Sequence, residues 1–343
     1  MKGAAPGEGD EEPPVVLAVD DLQVTLGSGA EAAPVVDGVG FRLRAGRTLC
    51  IVGESGCGKS LTALAVMGLL PTPPARLAGG RVRFDGRDLV GLATQEMRAL
   101  RGRRLAMVFQ EPMTSLNPSF TIGDQLTEAV LCHRPMRRDA AEALAIAMLD
   151  RVRIPSAARR LGDYPHQLSG GMRQRVMIAM ALINDPVVLI ADEPTTALDV
   201  TIQEQILALV RELQEAQGTA VLLITHDLGV VAELGHEAIV MYAGKVVEAG
   251  QVETLLADPQ HPYTIGLLGS VPRLDVAPEP LATIPGSVPP PKAFPLGCRF
   301  SSRCPFALER CRVEEPPLLP LAPGHDVACW RAPVELHVGG AKP

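Results

Sequence analysis

The chain has 343 residues, 47% of them apolar and 21% charged, with a formal net charge of −7. That is ordinary material for one large or two modest globular domains. With no long Lys/Arg run, the composition argues against nucleic-acid binding, which wants a basic surface. No apolar run approaches the roughly 18 residues needed to cross a bilayer. Residues 1–14, MKGAAPGEGDEEPP, are acidic and rich in Gly and Pro. They lack the apolar core of a signal peptide and read as a disordered tail. The expected location is the cytoplasm, with any membrane association made through partners.

Val15–Leu26 and Val35–Leu43 carry partly alternating apolar residues and predict strands. Thr48–Val52 predicts a short apolar strand, followed by a Gly-rich turn and a helix over Ser60–Leu70. Pro71, Pro73 and Pro74 are expected to end that helix. Strands are predicted at Arg81–Phe84 and Leu105–Gln110, and residues 113–183 read mainly as helices, most plainly over Ala140–Val152 and Gly171–Ile183. Strands return at Val187–Asp192, Ala220–Thr225 and Ile239–Tyr242. Between the first two lies a helix over Ile202–Gln217, with Ile202, Ile206, Leu209 and Leu213 along one face. This alternation predicts an α/β fold with a largely parallel sheet. After residue 258 proline becomes dense and periodicity fades. Residues 259–343 are therefore expected to hold little regular structure, and to need something other than a large core to hold them.

Gly53-Glu-Ser-Gly-Cys-Gly-Lys59-Ser60 fits G-x-x-x-x-G-K-[ST], between a predicted strand and a predicted helix. Glycines let the backbone fold tightly and aim N–H groups at phosphate oxygens, and the helix directs its positive end at the same place. The candidate nucleotide-binding residues are Gly53, Ser55, Gly56, Cys57, Gly58, Lys59, Ser60 and Leu61. Lys59 supplies a point charge for the β/γ-phosphates, and Ser60 a hydroxyl for Mg²⁺. The strand Val187–Asp192 carries Asp192 and Glu193 to the ligand edge of the sheet. Asp192 is the candidate Mg²⁺ carboxylate, and Glu193 the group that orients and polarises the attacking water.

Leu168-Ser169-Gly170-Gly171-Met172-Arg173-Gln174-Arg175 resembles the signature of ABC ATPases. Read as residues alone, Ser169, Gly170 and Gly171 at a helix start present free N–H groups to an anion. The resemblance extends to Gln110, similar to the Q-loop glutamine that contacts Mg²⁺ and water. It includes Ala197-Leu198-Asp199, similar to the D-loop that touches the opposing subunit, and His226, similar to the switch histidine on the γ-phosphate. Leu26 stands where the family usually places an adenine-stacking aromatic residue. The resemblance implies a P-loop NTPase core over residues 15–258, with an antiparallel β subdomain and a helical subdomain at about 113–183. It also implies two such subunits sandwiching two ATPs, each ATP between the phosphate loop of one and the signature of the other. Soluble ABC proteins of translation or DNA repair usually carry two cassettes or a long coiled-coil insertion, and this chain has neither.

The stretches Gln110–Pro118, Tyr164–Ser169, His261–Thr264 and Gly297–Pro305 are together very similar to dipeptide/oligopeptide importer ATPases. That resemblance implies two integral membrane permeases, a second ATPase (a heterodimer favoured, a homodimer possible), an extracytoplasmic solute-binding protein, and a peripheral place on the cytoplasmic face of the membrane. It places Glu111–Pro118 at the permease coupling helices. Related importers of nickel complexes or glutathione share the design. Cys298, Cys304, Cys311 and Cys329 suit a four-cysteine site for zinc or a [4Fe–4S] cluster. Their spacing favours zinc less, and the resemblance implies the iron–sulfur cluster, as a staple for the Pro-rich segment.

Overall fold

The computed structural model describes residues 12–110, 115–194, 198–270 and 284–334. Two long strands, β1 (Val15–Leu26) and β2 (Ala33–Arg44), pair antiparallel. β2 buries mostly alternate residues, whereas β1 buries Val16–Val19 in a row before alternation sets in at Leu22 and Val24. Next come β3 (Thr48–Val52), buried throughout, and helix α1 (Lys59–Val66). The helix stops earlier than the prolines require, because Gly68 takes φ +62° just past its end.

Strands β4 (Ala75–Phe84) and β5 (Arg87–Asp88) complete a four-stranded sheet in the order β2-β1-β4-β5. Helix α2 (Thr94–Leu100) leads to β6 (Leu105–Val108). A helical layer follows: α3 (Ile122–Leu131), α4 (Arg138–Arg151), α5 (Ala157–Arg160) and α6 (Gly170–Leu182). The chain then alternates β7 (Val188–Asp192), α7 (Val200–Gln217), β8 (Ala220–Ile224), α8 (Leu228–Leu234) and β9 (Glu237–Tyr242). Strand β10 (Lys245–Gln251) returns antiparallel to β9, and the short helices α9 (Val252–Ala257) and α10 (Pro262–Gly269) follow.

The second sheet has the order β11-β12-β10-β9-β3-β8-β7-β6. Its strands β9, β3, β8, β7 and β6 are parallel. Side chains alternate across this sheet. Leu49, Ile51, Leu105 and Met107 face a core shared with the antiparallel sheet, whereas Cys50, Val52, Ala106 and Val108 face the helical layer. Burying both faces explains why these strands read as unbroken apolar runs. Among the described residues no helix is long and apolar enough to cross a membrane.

The segment after residue 258 has more regular structure than its sequence suggests. Beyond helix α11 (Glu309–Val313), strands β11 (Leu319–Ala322) and β12 (His325–Val327) extend the main sheet at β10. Polar clamps fasten it. Glu248, fully buried on β10, accepts the N–H groups of Gln260 at 2.6 Å and His261 at 2.9 Å, and the His325 ring Nε2 lies 2.8 Å from it. Arg299 pairs with Asp37 and donates to the Ala243 carbonyl at 2.5 Å. The Val334 N–H reaches the Gln260 side chain at 2.9 Å.

Candidate functional site

Four parallel strands end at one edge, and each delivers a candidate residue there. After β3 comes the loop Gly53–Gly58, pressed so closely on its neighbours that a side chain at two positions has no room. A Cβ on Gly53 would sit 2.3 Å from the Met241 carbonyl, and one on Gly58 would sit 2.6 Å from that of Val35. Gly58 also takes φ +101°, where only glycine is comfortable. Ser55 and Gly56 are exposed at the crest, and Cys57 is buried beneath them, its thiol pushed up by burial. Ser60 and Leu61, both half-buried, lie in the first turn of α1. Lys59 is buried, and its ammonium donates to the carbonyls of Gly53 at 2.7 Å and Glu54 at 3.0 Å.

At the end of β7, Asp192 is buried, and burial raises its carboxyl above the usual range, against the lowering effect of a hydrogen bond from Ser60. Its Oδ1 is buried without a hydrogen-bond partner among the described residues. A buried, unpaired carboxylate oxygen beside a hydroxyl is what a hard cation replaces water to satisfy. The residues present therefore fit Mg²⁺, which takes one or two carboxylates with other oxygens and fills its remaining positions with phosphate and water. Ser60, Asp192 and Gln110 would hold it.

Glu193 follows in the left-handed region, at φ +48°, with its N–H on the Ile224 carbonyl at 2.9 Å. Two candidate residues from neighbouring strand ends meet its carboxylate. Gln110, beyond β6, donates from Nε2 to Oε2 at 3.0 Å, and His226, beyond β8, places Nδ1 3.4 Å from Oε1. The three predicted catalytic side chains thus form one cluster beside the loop.

The signature residues lie elsewhere. Ser169 caps α6, accepting the Met172 N–H at 3.3 Å, and Ser169 and Gly170 are exposed in the helical layer with Gly171 half-buried behind them. Asp199 caps α7, accepting the Ile202 N–H at 3.0 Å, and exposed Val200 follows it. Leu26 ends β1, opposite Ala33 and Ala75. The stretch Glu111–Thr114 and Ala197 lie outside the described residues.

One expectation is overturned. Among the described residues no group of three or more His, Cys, Asp or Glu side chains is placed to hold a metal ion, so neither the iron–sulfur cluster nor zinc is supported at Cys298, Cys304, Cys311 and Cys329. The four thiols line a small pocket with Phe300, Phe306 and Trp330. Burial pushes Cys298 up to about 12 and Cys329 to about 11, and raises Cys304. Cys311 and Cys329 accept local backbone N–H groups, from Leu308 and Arg331, each at 3.4 Å. Among the described residues, the clamps on Glu248, Asp37 and Gln260 are the contacts that fasten this segment.

Comparison with known proteins agrees with the strand-edge geometry. Residues 36–196 match the ABC transporter family, and residues 247–311 match the oligopeptide/dipeptide transporter C-terminal region. A probable peptide ABC transporter ATP-binding protein of Sinorhizobium fredii is 51% identical over 93% of this chain and 95% of its own length. The dipeptide transport ATP-binding protein DppD of Bacillus subtilis is 50% identical over 92% of this chain and 94% of its own. The chain belongs to the ATP-binding proteins of ABC transporters. Among solved structures, a dimeric ATP-binding cassette in a post-hydrolysis state with ADP and Pi superposes with a TM-score of 0.63 at 28% identity, covering 69% of this chain and 98% of the other. As an ABC ATPase the chain is an enzyme, and the edge just described is where its candidate machinery lies.

Two contacts on the loop of this ABC ATPase escaped the motif reading. The hydroxyl of Tyr263, on α10, accepts the Glu54 N–H at 2.7 Å, and Arg303 donates to the Glu54 carboxylate at 2.9 Å. The sequence signal for them is the family likeness of His261–Thr264 and Gly297–Pro305, which does not say what those side chains touch.

Proposed function

We propose that this chain is the ATP-hydrolysing subunit that powers an importer of dipeptides or oligopeptides. The observation that carries the reading is the convergence of Gln110 and His226 on Glu193, next to the phosphate loop and the unpaired Asp192 oxygen. The named relatives handle dipeptides and peptides, and the match at 247–311 is to a region of the same transporters.

In this reading the loop amides and Lys59 hold the β- and γ-phosphates, which draws Lys59 from the carbonyls of Gly53 and Glu54. Magnesium, when bound with the nucleotide, neutralises phosphate charge. Glu193 orients the attacking water and polarises it, and Gln110 and His226 fix that carboxylate through its two oxygens. His226 turns to the γ-phosphate when nucleotide is present. Ser169 and the N-terminus of α6 are exposed, so they meet the γ-phosphate of nucleotide held by a second ATPase subunit, as Asp199 meets the facing loop. ATP then favours the closed pair and hydrolysis releases it, moving two membrane permeases fed by an extracytoplasmic binding protein. A different ATPase as partner is favoured over a second copy, and the chain sits peripherally on the cytoplasmic face.

The test is to purify the membrane complex and measure ATP hydrolysis in vesicles. Permeases should co-purify, and a peptide-loaded binding protein should stimulate turnover. Stimulation by a nickel chelate or by glutathione, with none by peptides, would replace the cargo. Failure of any membrane protein to co-purify would remove the transport role.

A further inference from the structure

We propose that the segment after residue 258 holds the phosphate loop in its binding shape through Glu54, with Arg303 and Tyr263 as positioning residues. All three polar groups of Glu54 are engaged: its carbonyl by Lys59, its N–H by the Tyr263 hydroxyl and its carboxylate by Arg303. Two of the three come from sequence remote from the loop.

Arg303 is built to be rigid. Its side chain is 6% exposed and all five guanidinium N–H groups have acceptors. Nε donates to the Pro285 carbonyl at 2.9 Å. Nη2 donates to the carbonyls of Ile284 and Gly286, each at 3.2 Å. Nη1 donates to Glu54 at 2.9 Å and to the Tyr242 hydroxyl at 3.4 Å. Tyr242, Tyr263 and Phe300 pack ring against ring beneath it, with centroids 4.8–5.5 Å apart. One guanidinium therefore ties the loop to β9 and to residues 284–286.

The physical effect has two parts. A loop already held in place loses less freedom when phosphate arrives. An unpaired carboxylate in that loop would repel a triphosphate, and Arg303 neutralises it. Both parts predict altered nucleotide affinity, more than an altered chemical step.

The inference rests on the loop binding nucleotide, so Lys59→Ala is the control. MgATP affinity is measured on the full chain by equilibrium titration, with KM and kcat for hydrolysis and a melting temperature for each variant. Arg303→Ala should weaken MgATP about tenfold, chiefly in KM, and by less than about twofold in a Glu54→Ala background. Arg303→Lys should fail to restore affinity, since an ammonium cannot make the fork of contacts. Tyr263→Phe, which removes one oxygen, should weaken MgATP a few-fold. Equal effects of Arg303→Ala with and without Glu54, or wild-type affinity in both Arg303→Ala and Tyr263→Phe, overturns the proposal. If Arg303→Ala does not fold, Tyr263→Phe decides alone. Unchanged affinity in Lys59→Ala would instead remove the nucleotide reading of the loop.

Discussion

The parallel strands and the segment after residue 258 are held by different physics. Strands β3, β6, β7 and β8 bury every residue, between two continuous cores. The later segment contributes few fully buried apolar side chains, Tyr263 and Phe300 chief among them. It is joined by point contacts of charged and polar groups: Glu248 with three donors, Arg299 with Asp37, Arg303 with Glu54. Apolar burial is diffuse and tolerant of exchange, whereas a buried charge fails all at once when its partner goes. The chemistry belongs to the first kind of scaffold, and the segment that grips its loop belongs to the second.

That contrast can be broken by experiment. The largest effect should come from Glu193→Gln, which should slow ATP turnover by about 10²–10⁴-fold while ATP binding and the unfolding midpoint stay near wild type. Normal steady-state hydrolysis would remove Glu193 from its role. Glu248→Ala strands three donors and should destabilise by about 3–5 kcal/mol, with amides of residues 284–334 losing hydrogen-exchange protection before those of β3 and β8. Equal loss in both regions would show a single cooperative unit.

Acid should find the same weak side. Burial pushes His261 down to about 3, and its Nδ1 accepts the Tyr263 N–H at 3.1 Å, so the folded chain keeps the ring neutral. Its unfolded form takes up a proton near pH 6.5. Stability should therefore be full above about pH 6.5 and decline as pH falls towards 3, because the unfolded state binds the extra proton in that window. Urea midpoints against pH, compared with His261→Gln, check this, and parallel curves would assign the proton elsewhere. The smallest effect is expected at Arg42 and Asp20, an exposed pair on the antiparallel sheet. A double-mutant cycle there should give less than about 1 kcal/mol.

The two regions also differed in how much could be read from sequence. Burial on both faces makes β3, β7 and β8 apolar runs, so both the strands and the residues at their ends were legible: Gly53 follows β3, Asp192 closes β7 and His226 lies two residues past β8. β10 was missed because Lys245, Glu248 and Gly250 interrupt any alternation, and Glu248 is buried for its partners and not for its polarity. The cysteines misled for a related reason. Four cysteines in one segment said that a metal site could form, and the family likeness named a cluster, but neither says whether the folded side chains are placed to ligate one. Arg303 and Glu54 are 249 positions apart, and no local pattern marks such a pair.

The left-handed backbone at Glu193 carries an engineering consequence. Glutamate adopts that region reluctantly and glycine freely, so Glu193→Gly should relax the turn and yield a sturdier protein. The same change would delete the acid on which turnover is proposed to depend. A screen that rewards heat resistance alone should thus enrich inactive variants at this position, and thermostabilising this ATPase calls for selection on hydrolysis and survival together.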